Sequence, residues 1–396
     1  MPWILGMFGK FFSSKKKHNA QSTANSPESV SSSAELTLSS SESLQVIKAA
    51  LQNYSSNNFP QGVLSVCLHI DVKEQQQNIN VNLVMPFPCQ GELEEIAANL
   101  TDTLAQSVVF NVQLKIDSVR GFSLKGSQQN IANIIAVASG KGGVGKSTTT
   151  VNLAYALIAE GAKVGILDAD IYGPSVPTLI GLKGAKPRST DGKLMTPLMA
   201  HGLHAMSIGF LVDENDATVW RGPMASGAFH QLLNETIWPE LDYLLIDMPP
   251  GTGDIQLTLA QKVPVAAAVI VTTPQDIALD DAVKGITMFD KVQVPVLGLI
   301  ENMSYHVCEN CGHESHIFGQ SGGVLMAQKK QIDLLGQLPL NIDIRQDADF
   351  GQSDIIENSA GEIASLYRRI ARNITGQLFL QLDKRSPLTA SIEETE

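Results

Sequence analysis

The run Ile131-Ala132-Asn133-Ile134-Ile135-Ala136-Val137-Ala138-Ser139-Gly140-Lys141-Gly142-Gly143-Val144-Gly145-Lys146-Ser147-Thr148 joins an apolar segment to a glycine-rich turn. The turn satisfies G-x-x-x-x-G-K-S/T in full and leads into helical spacing at Val151, Leu153, Ala154, Leu157 and Ile158. Strand, loop and helix in that order are the context such a loop needs. Its glycines let backbone N–H groups turn inward around phosphate oxygens, and the helix N-terminus adds a favourable dipole. Lys146 is placed to reach the outer phosphates and Ser147 to hold Mg²⁺, with Gly140, Lys141, Gly142, Gly143, Val144, Gly145 and Thr148 completing the cradle. Working outward, apolar runs recur at 164–167, 243–246, 266–271 and 296–300, separated by amphipathic stretches. The runs are continuous rather than alternating, as in parallel strands covered on both faces. An α/β fold with a doubly wound, mostly parallel sheet is expected, with ligands at the carboxyl ends of its strands.

Three acids and an asparagine fall at those strand ends. Asp168 closes the second run and Asp170 lies just beyond it, in Leu167-Asp168-Ala169-Asp170-Ile171-Tyr172-Gly173-Pro174-Ser175. Asp247 closes Leu244-Leu245-Ile246-Asp247, apolar residues delivering one carboxylate beside Mg²⁺, and the stiff turn Met248-Pro249-Pro250-Gly251-Thr252-Gly253-Asp254 follows. Asn302 follows the run 296–300. Without the phosphate loop, these would read as strand-end and turn residues.

Ahead of the sheet, residues 1–42 read as a disordered leader, because their Ser-rich composition offers little to bury. Residues 43–125 show an αββαβ order and suggest a small α+β domain. Its helices are expected around Leu44, Ile47, Leu51 and around Leu93, Ile96, Leu100, Leu104, with strands at 63–70, 79–85 and 112–116. Residues 126–131 read as a linker, 132–382 as the phosphate-loop domain and 383–396 as a loose tail. Lys+Arg number 28 against Asp+Glu 40, a net charge of −12 that argues against broad contact with nucleic acid or an anionic membrane. No segment approaches the ~20 apolar residues of a transmembrane helix. In the first residues the apolar run precedes Lys15-Lys16-Lys17, the reverse of a secretory signal. A cytoplasmic protein without stable membrane insertion is expected.

Four cysteines in 396 residues are not a disulfide scaffold. Cys67 is expected within a strand and Cys89 as a buried thiol. Cys308-Glu309-Asn310-Cys311 admits three readings. It could be a redox dithiol, although such pairs ordinarily open a thioredoxin helix. It could be half of a zinc site with His313 and His316, although one residue between Cys311 and His313 is cramped. Or two chains could each supply a pair, giving four thiolates for an iron–sulfur cluster.

With Lys141 at its second position, the phosphate loop resembles the deviant loop of the MinD/ParA-like group of ATPases. The whole motif set is similar to the Mrp-type P-loop ATPases, which carry iron–sulfur clusters. It comprises the loop, Asp168-Ala169-Asp170-Ile171-Tyr172-Gly173-Pro174-Ser175, Trp220-Arg221-Gly222-Pro223-Met224, Asp247-Met248-Pro249-Pro250-Gly251-Thr252-Gly253-Asp254 and the cysteine pair. The resemblance covers about 132–375, and 43–125 is similar, more weakly, to a small iron–sulfur-assembly-associated domain. It implies that Lys141 crosses a homodimer interface to the partner's ATP, that Asp170 orients the attacking water, and that Asn302 contacts adenine. It also implies Mg²⁺ at Ser147 with Asp168 and Asp247 nearby, and a 4Fe–4S cluster bridging two subunits at Cys308 and Cys311. Such a protein hydrolyses ATP and passes its cluster to apoproteins. The rival readings are a MinD/ParA-like spatial organiser, for which the acidic end Glu393-Glu394-Thr395-Glu396 is ill suited, and a zinc-containing NTPase serving another metal.

Overall fold

The computed structural model describes residues 42–75, 78–119, 129–189, 192–212 and 222–381. The leader before Glu42, residues 126–128 of the linker, Trp220, Arg221 and the tail from 382 lie outside the described residues.

Helix α1 (Glu42–Asn53) buries Leu44, Ile47 and Leu51, the three-and-four spacing expected of one helix face. Strands β1 (His69–Gln75) and β2 (Asn78–Met85) pair antiparallel, with His69 opposite Val84. Helix α2 (Gln90–Leu104) then crosses over, so that β3 (Ser107–Leu114) lies parallel to β2 with Asn78 opposite Ser107. Two strands differ from expectation. The first begins at His69, because Val63–Ser65 forms a 3₁₀ turn. Gly62 there has φ +90°, and its carbonyl accepts both the N–H and the hydroxyl of Ser65. Val63 and Cys67 reach one core four residues apart, a spacing a turn satisfies as well as a strand. Cys67 therefore lies between turn and strand, and its thiol donates to the His69 carbonyl at 3.0 Å. The third strand starts at Ser107 rather than 112, since Val108 and Phe110 are its buried residues.

The large sheet starts with β4 (Ile131–Ala138), so Ile131 belongs to a strand and not to a linker. After it come α3 (Lys146–Ala159), β5 (Val164–Asp168), the short α4 (Val176–Leu179), β6 (Leu198–Ala200) and β7 (Leu203–Ser207). Next are α5 (Gly222–Glu235), β8 (Leu241–Asp247), α6 (Asp254–Lys262), β9 (Ala267–Thr272), α7 (Asp276–Lys291) and β10 (Val296–Glu301). A two-stranded hairpin, β11 (His306–Val307) and β12 (Glu314–Ser315), interrupts the alternation. The chain closes with α8 (Gly322–Lys330), β13 (Asp333–Gln337), α9 (Ile342–Phe350), α10 (Asp354–Glu357) and α11 (Glu362–Leu380).

The strand order is β13-β10-β9-β4-β8-β5-β7-β6. All neighbours run parallel except the edge pair β6 and β7. Every residue of β5 and β9 is buried, as expected for strands covered on both faces. The register sets the strand ends in a row: Val137 and Asp168 each pair with Asp247, Ser207 pairs with Asp168, and Thr272 pairs with Glu301. That row is the floor of the candidate site. Among the described residues no helix is long and apolar enough to cross a membrane.

Candidate functional site

The phosphate loop sits above β4, and its shape depends on two glycines with no room for a side chain. A Cβ at Gly140 would come within 2.1 Å of the Asp281 backbone in α7. Gly145 has φ +78°, and a Cβ there would meet Asn302 Nδ2 at 2.2 Å. A Cβ at Gly142 or Gly143 would meet nothing within 4 Å, so this side of the loop is open. The Asn302 side chain donates to the Val144 carbonyl at 2.9 Å, tying the end of β10 to the loop. The Gly251 N–H donates to the Ser139 carbonyl at 2.9 Å and ties in the segment after β8.

Lys146 is buried at the start of α3 and donates to Asp247 Oδ1 at 2.5 Å and to Ser147 Oγ at 3.1 Å. Thr150, one turn further on, donates to the same Asp247 oxygen at 3.0 Å. Asp247 is fully buried and its Oδ2 has no hydrogen-bond partner among the described residues. A buried carboxylate oxygen of this kind suits a cation or a water held by one. With the Ser147 hydroxyl beside Lys146, these residues fit Mg²⁺ together with nucleotide phosphates.

Asp168 is differently committed. Its Oδ1 accepts the Asp170 N–H at 3.1 Å, and its Oδ2 accepts the Ser207 hydroxyl at 3.0 Å and the Val176 N–H at 3.3 Å. It thus shapes the turn from β5 into α4. Burial, with the Asp247 charge adding to it and Lys146 opposing it, pushes the Asp168 carboxyl up to about 8. Asp170 is half-buried, and its carboxylate accepts the Gly173 N–H at 3.3 Å. Burial raises its pKa while nearby Lys146 lowers it. Lys141 is half-buried on the rim of the loop, and Ser139 donates to its carbonyl at 2.9 Å. Thr150 and Ser207 were not anticipated. Thr150 has the signal of lying one helical turn after Lys146, whereas Ser207 reaches Asp168 only through sheet pairing.

A cavity of about 820 Å³ opens beside Gly145 and Thr148. Its walls are the segment leading into α4 with α4 itself, the Asn302-Met303 turn, His306 of the hairpin and Ile317 just beyond it, and the segment from Pro339 along α9. The lining is mostly apolar with a few polar groups, the usual character of a small-molecule site.

The cysteine pair caps the hairpin, where His306 pairs with Ser315 and Val307 with Glu314. The Cys308 N–H donates to the His313 carbonyl at 3.0 Å and the Gly312 N–H to the Cys308 carbonyl at 2.8 Å, closing a tight turn. The backbone N–H groups of Asn310 and Cys311, with a smaller contribution from the Cys311 thiol, stabilise the Cys308 thiolate and lower its pKa. Cys311 is exposed, whereas Cys67 and Cys89 are buried and their thiols are pushed up by burial. His316 does not turn toward the thiols. Its Nδ1 lies 3.1 Å from the Ser304 carbonyl and its Nε2 3.4 Å from Glu314. Among the described residues no group of three or more Cys, His, Asp or Glu is gathered to hold a metal ion.

Comparisons with known proteins agree with this architecture. The family described as ParA: NUBPL iron-transfer P-loop NTPase matches residues 130–375. The chain is 48% identical over 368 residues to the iron-sulfur cluster carrier protein of Escherichia coli (strain K12), covering 92% of this chain and 96% of the relative. It is 48% identical over 261 residues to the iron-sulfur cluster transfer protein NUBPL of Mus musculus, covering 65% and 82%. A nucleotide-binding protein in complex with ADP from Archaeoglobus fulgidus superimposes with TM-score 0.53 at 39% identity, over 61% of this chain and 94% of that one. By fold, motif and relatedness, the chain belongs to the NUBPL iron-transfer P-loop NTPase family.

Proposed function

We propose that this protein is an ATP-hydrolysing carrier that holds an iron–sulfur cluster between two copies of itself and transfers it to apoproteins. The observation that carries the reading is the hairpin turn: one chain presents two accessible thiols there, and among the described residues no group of three or more possible metal ligands is gathered. Two such turns meeting in a homodimer supply the four thiolates of a 4Fe–4S cluster, which is cargo rather than resident cofactor. The cytoplasm is the compartment proposed, because its reducing thiol pools keep such cysteines free.

At the other end of the site, Lys146 and the loop amides bind the ATP phosphates, and Asn302 faces the base. Mg²⁺ is proposed at Ser147, with Asp247 beside it and Asp168 supporting the turn; when bound it neutralises phosphate charge. Asp170 orients the attacking water, and Lys141 crosses to the partner's nucleotide.

The test is iron, sulfide and zinc content per chain after anaerobic reconstitution, in wild type and in Cys308→Ala, Cys311→Ala, His313→Ala and His316→Ala. The expected result is about two irons per chain, lost with either cysteine and kept with either histidine. About one zinc per chain with histidine dependence would instead make the hairpin a zinc site. The positions of His316 on Ser304 and Glu314 disfavour that outcome.

A further inference from the structure

The cavity beside the phosphate loop and the cysteine hairpin share a wall. Asn302, Met303, His306 and Ile317 all line the cavity. His306 is the first residue of β11, and Ile317 lies two residues beyond the end of β12. Both roots of the hairpin therefore border the space proposed for the nucleoside. Cys308 follows His306 by two residues, so their Cα atoms are at most about 7 Å apart along the strand. The turn between the roots is stiff, closed by the Cys308–His313 and Gly312–Cys308 backbone bonds. A displacement of the roots must then move the thiols with it.

The first root is tied to Leu340, a neighbouring residue lining the same cavity. The Leu340 N–H donates to the Tyr305 carbonyl at 2.7 Å, and His306 Nδ1 lies 3.1 Å from the Leu340 carbonyl. A carbonyl only accepts, so Nδ1 carries the proton there. Ile317 leaves 58% of its surface exposed. A planar base lying against it would cover apolar surface in one hairpin position and not in another. A ligand shifts a conformational equilibrium only through such a difference.

We infer that His306 and Ile317 are positioning residues through which nucleotide occupancy sets the placement and accessibility of Cys308 and Cys311 within a single chain. The inference rests on the reading of the cavity as the nucleoside site. It adds a route for regulation that requires no motion of one subunit against the other.

The experiment uses the full chain freed of iron. Nucleotide affinity is measured by calorimetry with ADP and with a non-hydrolysable ATP analogue. The alkylation rates of Cys308 and Cys311 by iodoacetamide are followed by peptide mass spectrometry, with and without saturating nucleotide. Buried Cys67 and Cys89 serve as slow internal references. In wild type the nucleotide is expected to change the hairpin rates by about fivefold or more, the lower range of ordinary coupling. In Ile317→Ser and His306→Ala the change should fall below about twofold while calorimetry still detects binding. Ile317 is surface-exposed, so its variant should fold even if the His306 variant does not. Equal rates in wild type with nucleotide demonstrably bound would overturn the inference, as would an undiminished change in Ile317→Ser. Failure of wild type to bind nucleotide would overturn the reading of the cavity itself.

Discussion

Lys146 and Asp247 form a buried pair whose second carboxylate oxygen has no partner among the described residues, so each depends on the other and on what enters the site. Lys146→Ala should reduce ATP hydrolysis about 100-fold or more, by loss of a preorganised charge where phosphate charge develops. Steady-state turnover checks this, with circular dichroism to confirm the fold; unaltered turnover would remove Lys146 from catalysis. Asp170 has a different expected signature, because its carboxylate accepts the backbone N–H groups of Gly173 and Tyr172, whereas the loop lysine donates to Asp247. Asp170→Asn should leave the nucleotide Kd within about threefold while slowing kcat by about tenfold or more, the scale of a lost water-orienting or general-base contribution. Equal losses in affinity and kcat would instead identify Asp170 as a nucleotide ligand.

The segment after β10 is organised by one fully buried carboxylate. Glu301 Oε1 accepts the Ser304 hydroxyl at 2.6 Å and Gln337 Nε2 at 2.7 Å, and its Oε2 accepts the Gly323 N–H at 2.5 Å. Ser304 in turn anchors His316 through its carbonyl. A single side chain thus joins the end of β10, β13, the start of α8 and the root of the hairpin. Glu301→Ala should cost about 3 kcal/mol, since it orphans three donors together. Chemical denaturation reads the cost, and hydrogen exchange should quicken first across 304–323. A denaturation midpoint equal to wild type would show that water replaces the carboxylate without loss.

The three-stranded and eight-stranded sheet layers are joined by a buried charge cluster at the far end of the phosphate-loop helix. Glu160 accepts Arg368 Nε and Arg372 Nη1, each at 2.7 Å, and the Gly91 N–H of α2 at 2.9 Å. Phe87 of the small sheet's layer also meets Phe379 of α11, with ring centroids 5.5 Å apart. Glu160→Ala should destabilise the chain by about 3 kcal/mol or more, because two buried guanidiniums lose their shared partner. Urea denaturation measures this, and a change below about 1 kcal/mol would mean the arginines find other acceptors. Much of the architecture was legible beforehand. The continuous apolar runs ending in Asp168 and Asp247, the run ahead of Glu301 and Asn302, and the loop from Gly140 to Thr148 depend on local pattern: burial on both faces demands unbroken hydrophobes, and phosphate binding demands glycine and lysine at fixed spacing. The edge strands β6 and β13, and β7 beside β6, were not legible; β13 buries only Leu335 and makes a weak apolar signal. The commitment of Asp168 to Ser207, the Glu301 and Glu160 clusters, and the wall shared by the hairpin and the cavity beside Gly145 were decided by tertiary structure alone. Each joins residues 22 to 212 positions apart or more than two elements at once, and such partners are chosen by sheet register and helix packing rather than by local spacing.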